Sequence, residues 1–262
     1  MSKCKTLLAF YCPTIYEAIS KSKINWDKLD QTYEKTYLKP GDNQSNLPGI
    51  LLKAELGDSF CKDFLGLCEY LFLTLQPKSG ELAKFRNIIV GKFTNLESLN
   101  YLNPIGELAV LKKFIDSGFT LERIEDKLNF PNATPKDFYL RHPFSGKKMV
   151  LEVVNIHLSK NYSSLKSLKE FLSSKLTLKI DKETKGIEND EGKGILFFLP
   201  VIWIFDFEKY KKFSNFFERF SKSFGNEVCF NYNVLGFCTL GRANQTFHFG
   251  EISTFYNPEK YK

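Results

Sequence analysis

The chain has 262 residues, 43% of them hydrophobic, enough for one large domain or for a core with an accessory region. Lysine and arginine exceed aspartate and glutamate by 37 to 30; the resulting +7 suits a polyanionic partner but is common on soluble proteins and excludes little by itself. The six cysteines (Cys4, Cys12, Cys61, Cys68, Cys229 and Cys238) form no CxxC pair in a chain too long to need disulfide staples, which argues against a zinc ribbon or a disulfide scaffold and for buried thiols in a reducing compartment.

The opening MSKCKTLLAFYCP lacks the long apolar stretch and small-residue cleavage site of a secretory signal, and Thr6–Tyr11 reads as a strand. Thr14-Ile15-Tyr16-Glu17 is a capping-box pattern that predicts a short helix through about Ser22. Trp26–Tyr37 predicts a second helix, stopped by Lys39-Pro40-Gly41 and followed by a loop over Gly41–Asn46. A long apolar helix is expected from near Asp58 to Leu75. Residues 1–102 thus form a mainly helical accessory region without recognisable chemistry.

The pattern changes at Asn103, where 103–262 reads as an α/β core. Asn103-Pro104 offers an N-cap and a first-turn proline for a helix running to Ser117-Gly118. Phe119–Leu128 alternates in part and predicts a strand, followed by the proline-bearing loop Asn129–Pro135. Strands at Lys136–Arg141 and Lys148–His157 then form a hairpin, with Pro143, Ser145 and Gly146 in its turn. Ser163–Lys185 predicts a helix, with Leu165, Leu168, Leu172 and Leu176 at helical spacing. Beyond an acidic loop at Gly186–Gly194 come a buried strand (Gly194–Phe205), a helix (Glu208–Lys222), a strand (Glu227–Leu240) and a last strand near Thr246–Ile252. The 26 phenylalanines predict a Phe-rich core. No apolar run reaches membrane-spanning length: Ile195–Phe205 is short, contains Pro200 and ends at Asp206. A cytoplasmic protein with no membrane partner is expected.

The hairpin carries the chemistry. Glu152 interrupts Val150-Leu151-Glu152-Val153-Val154, where an acid is a poor strand former and costly to bury. Asp137 stands near the start of the partner strand. Two strand carboxylates that a hairpin brings together suit a hard divalent ion, Mg²⁺ or Mn²⁺, which takes oxygen ligands and keeps waters for substrate. Glu107, after Pro104-Ile105-Gly106, offers a third carboxylate. Each acid also has a plainer role: Glu107 as a partner of the helix dipole, Asp137 as a strand-start or turn residue. Glu152 has none, since an apolar strand isolates it.

Glu107 in Asn-Pro-Ile-Gly-Glu, Asp137 in Pro-Lys-Asp-Phe and Glu152 in Leu-Glu-Val-Val, on helix, strand and strand in that order, resemble the PD-(D/E)xK (restriction-endonuclease-like) nuclease superfamily. The resemblance covers about Asn103–Phe205 and rests on element order more than on letters. It implies a helix, three-strand, helix, strand core, with Glu107, Asp137 and Glu152 as catalytic metal ligands and DNA as substrate. In the nuclease reading the N-terminal region would hold DNA or a partner subunit, a homodimer being one of the arrangements left open. The family lysine falls two residues after the strand acid, and here that position is Val154. Lys148 has the parity of Glu152 but stands four residues back, roughly 13 Å at strand rise. Lys175 and Lys179, on the following helix, are the better substitutes. Asn155 and His157 have the opposite parity, and His142 lies at the hairpin turn.

Other chemistries find no motif: the three histidines (His142, His157, His248) form no HExxH pair, no glycine loop leads a strand into a helix, and no GxSxG occurs. The sequence therefore points to a metal-dependent DNA nuclease of restriction, defence or repair type. The alternatives are a nuclease-fold binding module that lost turnover at Val154, and an unrelated α/β domain whose hairpin acids are incidental.

Overall fold

The computed structural model describes residues 2–38, 46–73, 75, 80–94, 102–126, 134–158, 162–185, 196–204, 212, 233–234, 238–243 and 246–247. The expected loops at Gly41–Asn46, Asn129–Pro135 and Gly186–Gly194 fall wholly or mostly outside them, as do the expected helix Glu208–Lys222, most of the expected strand Glu227–Leu240 and the end of the one after it. The described chain is mixed α/β and divides into two compact units, 1–109 with 245–247, and 110–244 with 248–262.

The first unit contains α1 (Lys3–Tyr11), α2 (Pro13–Ser20), α3 (Trp26–Leu38), α4 (Leu47–Glu55), α5 (Ser59–Leu73) and α6 (Gly80–Phe93). No element was expected over Gly80–Phe93, where α6 lies, and three further details depart from expectation. Thr6–Tyr11 is part of helix α1 and not a strand: Cys4, Leu7, Leu8 and Cys12 are buried at helical spacing, and the Ser2 hydroxyl accepts from Lys5 N–H. Helix α2 starts at Pro13 with no side-chain cap of its own. The carboxylate of Glu69, on α5, accepts from the N–H groups of Thr14 (2.8 Å) and Ile15 (3.3 Å) and does the work expected of Thr14. Helix α4 was not foreseen. Its apolar residues are buried on every side, from Leu47 to Leu52, so it has no periodicity to read; Asn46 caps it through Gly49 N–H at 3.0 Å. Phe64, Phe72, Phe85 and Phe93 fill this core.

The division falls within α7 (Leu102–Asp116), between Ala109 and Val110. The helix begins one residue before Asn103, so Pro104 sits in a first turn where an absent N–H costs nothing. It ends at Gly118, whose φ of +86° and N–H to Ile115 carbonyl bond (2.9 Å) make a left-handed stop.

The second unit is built on a mixed sheet. β1 (Thr120–Asp126), β2 (Lys136–Arg141) and β3 (Lys148–His157) form an antiparallel meander; α8 (Leu165–Thr184) then crosses to β4 (Leu196–Ile204), parallel to β3. β6 (Cys238–Ala243) continues the sheet parallel to β4, and the short β5 (Asn233–Val234) also pairs with β4. β7 (Thr246–Phe247) groups with the first unit. The hairpin occupies the expected residues. His142 organises its turn: Nδ1 accepts from the N–H groups of Phe144 and Ser145, and Gly146 supplies a φ of +65°. On α8, Leu168, Leu172, Leu176 and Ile180 are buried at helical spacing, whereas Leu165, expected in that stripe, is 41% exposed in the first turn. Ser164 caps the helix in a reciprocal bond pair with Ser167.

Because this stripe seats α8, Leu172→Ala removes fully buried apolar volume. We expect the second unit to lose about 2–5 kcal/mol, read as a lower urea midpoint at unchanged slope.

Candidate active site

In the hairpin, β2 and β3 pair as Phe138↔Leu151 through Arg141↔Lys148. One further step of that register sets Asp137 opposite Glu152, and opposed residues of an antiparallel pair share a face. The ladder stops there. In its place the Asp137 side chain bridges the strands, Oδ2 accepting from Val153 N–H at 2.7 Å. Asp137 is half-buried, whereas Glu152 is only 2% exposed.

Two oxygens of one carboxylate then differ. Glu152 Oε1 lies 2.7 Å from Lys179 Nζ, while Oε2 is buried with no hydrogen-bond partner among the described residues. Lys179 reaches the strand because it stands three residues after Leu176, at the margin of the buried stripe of α8. Its ammonium also meets Glu183 Oε1 at 3.1 Å, one turn along. Lys175 takes no part in this cluster: it is exposed and stands over the Phe171 ring at 5.7 Å.

Glu183 and Lys136 were not foreseen. Lys136, wholly buried, donates to Glu183 Oε2 (2.9 Å), to the Glu183 carbonyl (2.8 Å) and to Thr134 Oγ1 (2.9 Å). Thr134 donates to Glu183 Oε2 in turn. The one signal for Glu183 was its spacing, seven residues after Leu176 on the apolar stripe. For Lys136 there was none.

Burial and neighbours set the charges. Burial pushes the Glu152 carboxyl up to about 8; Asp137 and Glu183 add to the rise, and the Lys179 ammonium opposes it. Burial alone would pull Lys179 down, but Glu152, Asp137 and Glu183 together hold it above the ordinary lysine range. Burial would raise Glu183, yet bonds from Thr134 and Lys136 and the charge of Lys179 bring it down to about 2.

Glu107 belongs to the first unit; it is half-buried in the second turn of α7, beyond the first-turn positions where a helix dipole favours an acid. Val154 is 5% exposed on the Glu152 side of β3, which is regular in its pairing with β4. On the opposite face Asn155 Oδ1 accepts from Trp203 Nε1–H at 2.9 Å, and the His157 ring stacks on Trp203 with centroids 6.2 Å apart. Burial brings His157 down to about 4 and keeps it neutral.

Among the described residues no group of three or more His, Cys, Asp and Glu side chains is gathered to hold a metal ion. Mg²⁺ or Mn²⁺ held by Asp137 and Glu152, with water and substrate oxygens completing its shell, fits these residues, because such ions use one or two carboxylates and Glu152 Oε2 is buried with no partner among the described residues. Among the described residues, no helix is long and apolar enough to cross a membrane.

Glu152 also has a sign in stability. Its carboxyl holds a proton more tightly in the folded chain, so its burial costs little below its ordinary value of 4.5 and progressively more up to about 8, levelling above. Glu152→Gln removes that slope. The variant should match wild type near pH 4.5 and exceed it by more than about 1.4 kcal/mol at pH 8.5, measured by denaturant unfolding at both values. Compared with known proteins, the chain matches no family model, no curated protein and no solved structure, so what this cluster does has to be argued from its own geometry.

Proposed function

We propose that the chain is a metal-dependent nuclease of the restriction-endonuclease-like type that hydrolyses phosphodiester bonds in DNA, in a restriction, defence or repair role. The observation that carries this reading is the Glu152 carboxylate, buried in an apolar strand, opposite Asp137 and against a lysine, with Oε2 unpartnered among the described residues. A buried acid kept for stability would have both oxygens satisfied. The order of α7, the β1–β3 meander, α8 and a parallel β4 supports the same reading.

Asp137 and Glu152 would hold Mg²⁺ or Mn²⁺, with water and substrate oxygens completing its shell. When bound there, such an ion would supply an activated water and offset charge on the scissile phosphate. Asp137 keeps its carboxylate aimed by accepting from Val153 N–H, which fixes it at the point where the strands part. Lys179, paired with two carboxylates, stays protonated and presents an N–H donor and a positive charge to phosphate oxygens. It takes the part that Val154 cannot. A basic surplus of +7 suits the DNA backbone, and the first unit is assigned the holding of DNA, a second copy or a partner subunit.

A second reading has its own observation. Val154 packs on the Glu152 side of β3 where the family lysine would stand, and the Lys179 ammonium lies on Glu152 itself. That arrangement fits a nuclease-derived module that binds nucleic acid or protein without turnover.

Cleavage of plasmid and single-stranded DNA with Mg²⁺ or Mn²⁺ separates the two. Wild type should cut, and Asp137→Asn, Glu152→Gln and Lys179→Met should each lower the rate by at least about a hundredfold while folding as wild type does. DNA binding without cutting, unchanged in these variants, would favour the binding module. Neither binding nor cutting would sink both readings.

A further inference from the structure

Lys136 and Glu183 form an ion pair that the Asp137–Glu152 site does not itself require, and both are buried, at 0% and 3% exposure. Burying two charges is unfavourable unless nearly every donor and acceptor is satisfied. Here they are. The three ammonium protons of Lys136 go to Thr134 Oγ1, the Glu183 carbonyl and Glu183 Oε2, at 2.8–2.9 Å. With Oε2 taken by Lys136 and Thr134, the carboxylate cannot rotate without breaking two bonds, and Oε1 stays turned to Lys179 at 3.1 Å. Lys182 also comes within 3.6 Å of Oε1, but it is 68% exposed and adds little in water.

The two carboxylates that share Lys179 are therefore unequal. Glu152 has an oxygen to spare and stands opposite Asp137; Glu183 is fully engaged. A cation arriving at Glu152 competes with Lys179 for that carboxylate. Without a second anchor the ammonium would have to leave for solvent, and a lysine on a long flexible stem would be lost to the site. Resting on the nuclease reading, we propose that Glu183, locked by Lys136 and Thr134, is the positioning residue that holds Lys179 beside Asp137 and Glu152 and keeps it there when a divalent cation takes Glu152. This gives a helix-borne lysine the fixed placement that a strand lysine has from its backbone.

The test is a double-mutant cycle on Mn²⁺ binding to the full chain, read from the EPR signal of free Mn²⁺. Its members are wild type, Glu183→Gln, Lys179→Met and the double variant, each checked for folding by thermal unfolding. With Lys179 present, losing the anchor makes its ammonium hold Glu152 harder, so Glu183→Gln should weaken Mn²⁺ binding by about tenfold. In the Lys179→Met chain the same change should cost less than about twofold. Equal losses in both backgrounds would show a through-space charge effect; equal losses, no loss in either, or tighter binding would each overturn the positioning role while leaving the metal site intact. No Mn²⁺ binding by wild type would overturn the nuclease reading and this role with it. If Glu183→Gln strands the Lys136 charge and does not fold, the cycle is run with Lys136→Met paired to Glu183→Gln, which removes both buried charges at once. The expected and overturning patterns are the same.

Discussion

A carboxylate in a dry sheet is the constraint around which the second unit is arranged. Glu152 lies in a strand whose neighbours on both faces are apolar, where an isolated charge would be prohibitively costly. Two features offset that cost. Lys179 reaches Oε1 from the crossover helix, and the carboxyl is pushed toward its neutral form, a shift to which Asp137 adds. The compensation is incomplete at Oε2. A structure selected for stability alone would place leucine or valine there, as it does at residues 150, 151, 153 and 154.

Topology makes the compensation possible. An antiparallel hairpin sets two acids on one face, but it cannot bring a helix over them. The parallel step from β3 to β4 does, because it must be spanned by a crossover and the crossover is α8. The leucine stripe that seats α8 fixes its rotation, and rotation decides which lysines face the strand: Lys179 lies at the margin of the stripe and Lys175 does not. The far face of β3 has its own polar lock in Asn155 and Trp203, with neutral His157 stacked beside them. That lock also explains why neither residue is available on the Glu152 side.

Local patterns in the sequence were sufficient for the parts of the fold that depend on local rules. The hairpin limits follow from strand periodicity and from the turn chemistry of His142 to Gly146. Asp137 and Glu152 stand out because an acid in a strand has no local excuse. What was not legible depends on partners far along the chain. Glu69 caps α2 from 55 residues away, Lys136 and Glu183 meet across 47, and no pattern within either segment announces them. Helix α4 was hidden for the opposite reason, its burial on all sides erasing the period that reveals a helix. Residues Thr6–Tyr11 read as a strand only while Cys4 and Cys12 are left out of the pattern; with them included, the buried positions repeat as a helix does.

The displacement of a lysine from strand to helix has a physical consequence beyond its address. A lysine at 154 would be tied to Glu152 by two residues of rigid strand, so neither could move without the other. Lys179 is joined to Glu152 through the packing of α8 and an ion pair, and with a cation on Glu152 its ammonium would be left to Glu183. The buried pair Lys136–Glu183 also links the start of β2, one residue before Asp137, to the end of α8, one turn after Lys179. A shift of either element therefore moves both halves of the cluster together. On this view the ion pair restores through tertiary contact the rigidity that the strand lysine would have had through covalent connection, which accounts for two full charges being kept where apolar residues would pack at lower cost.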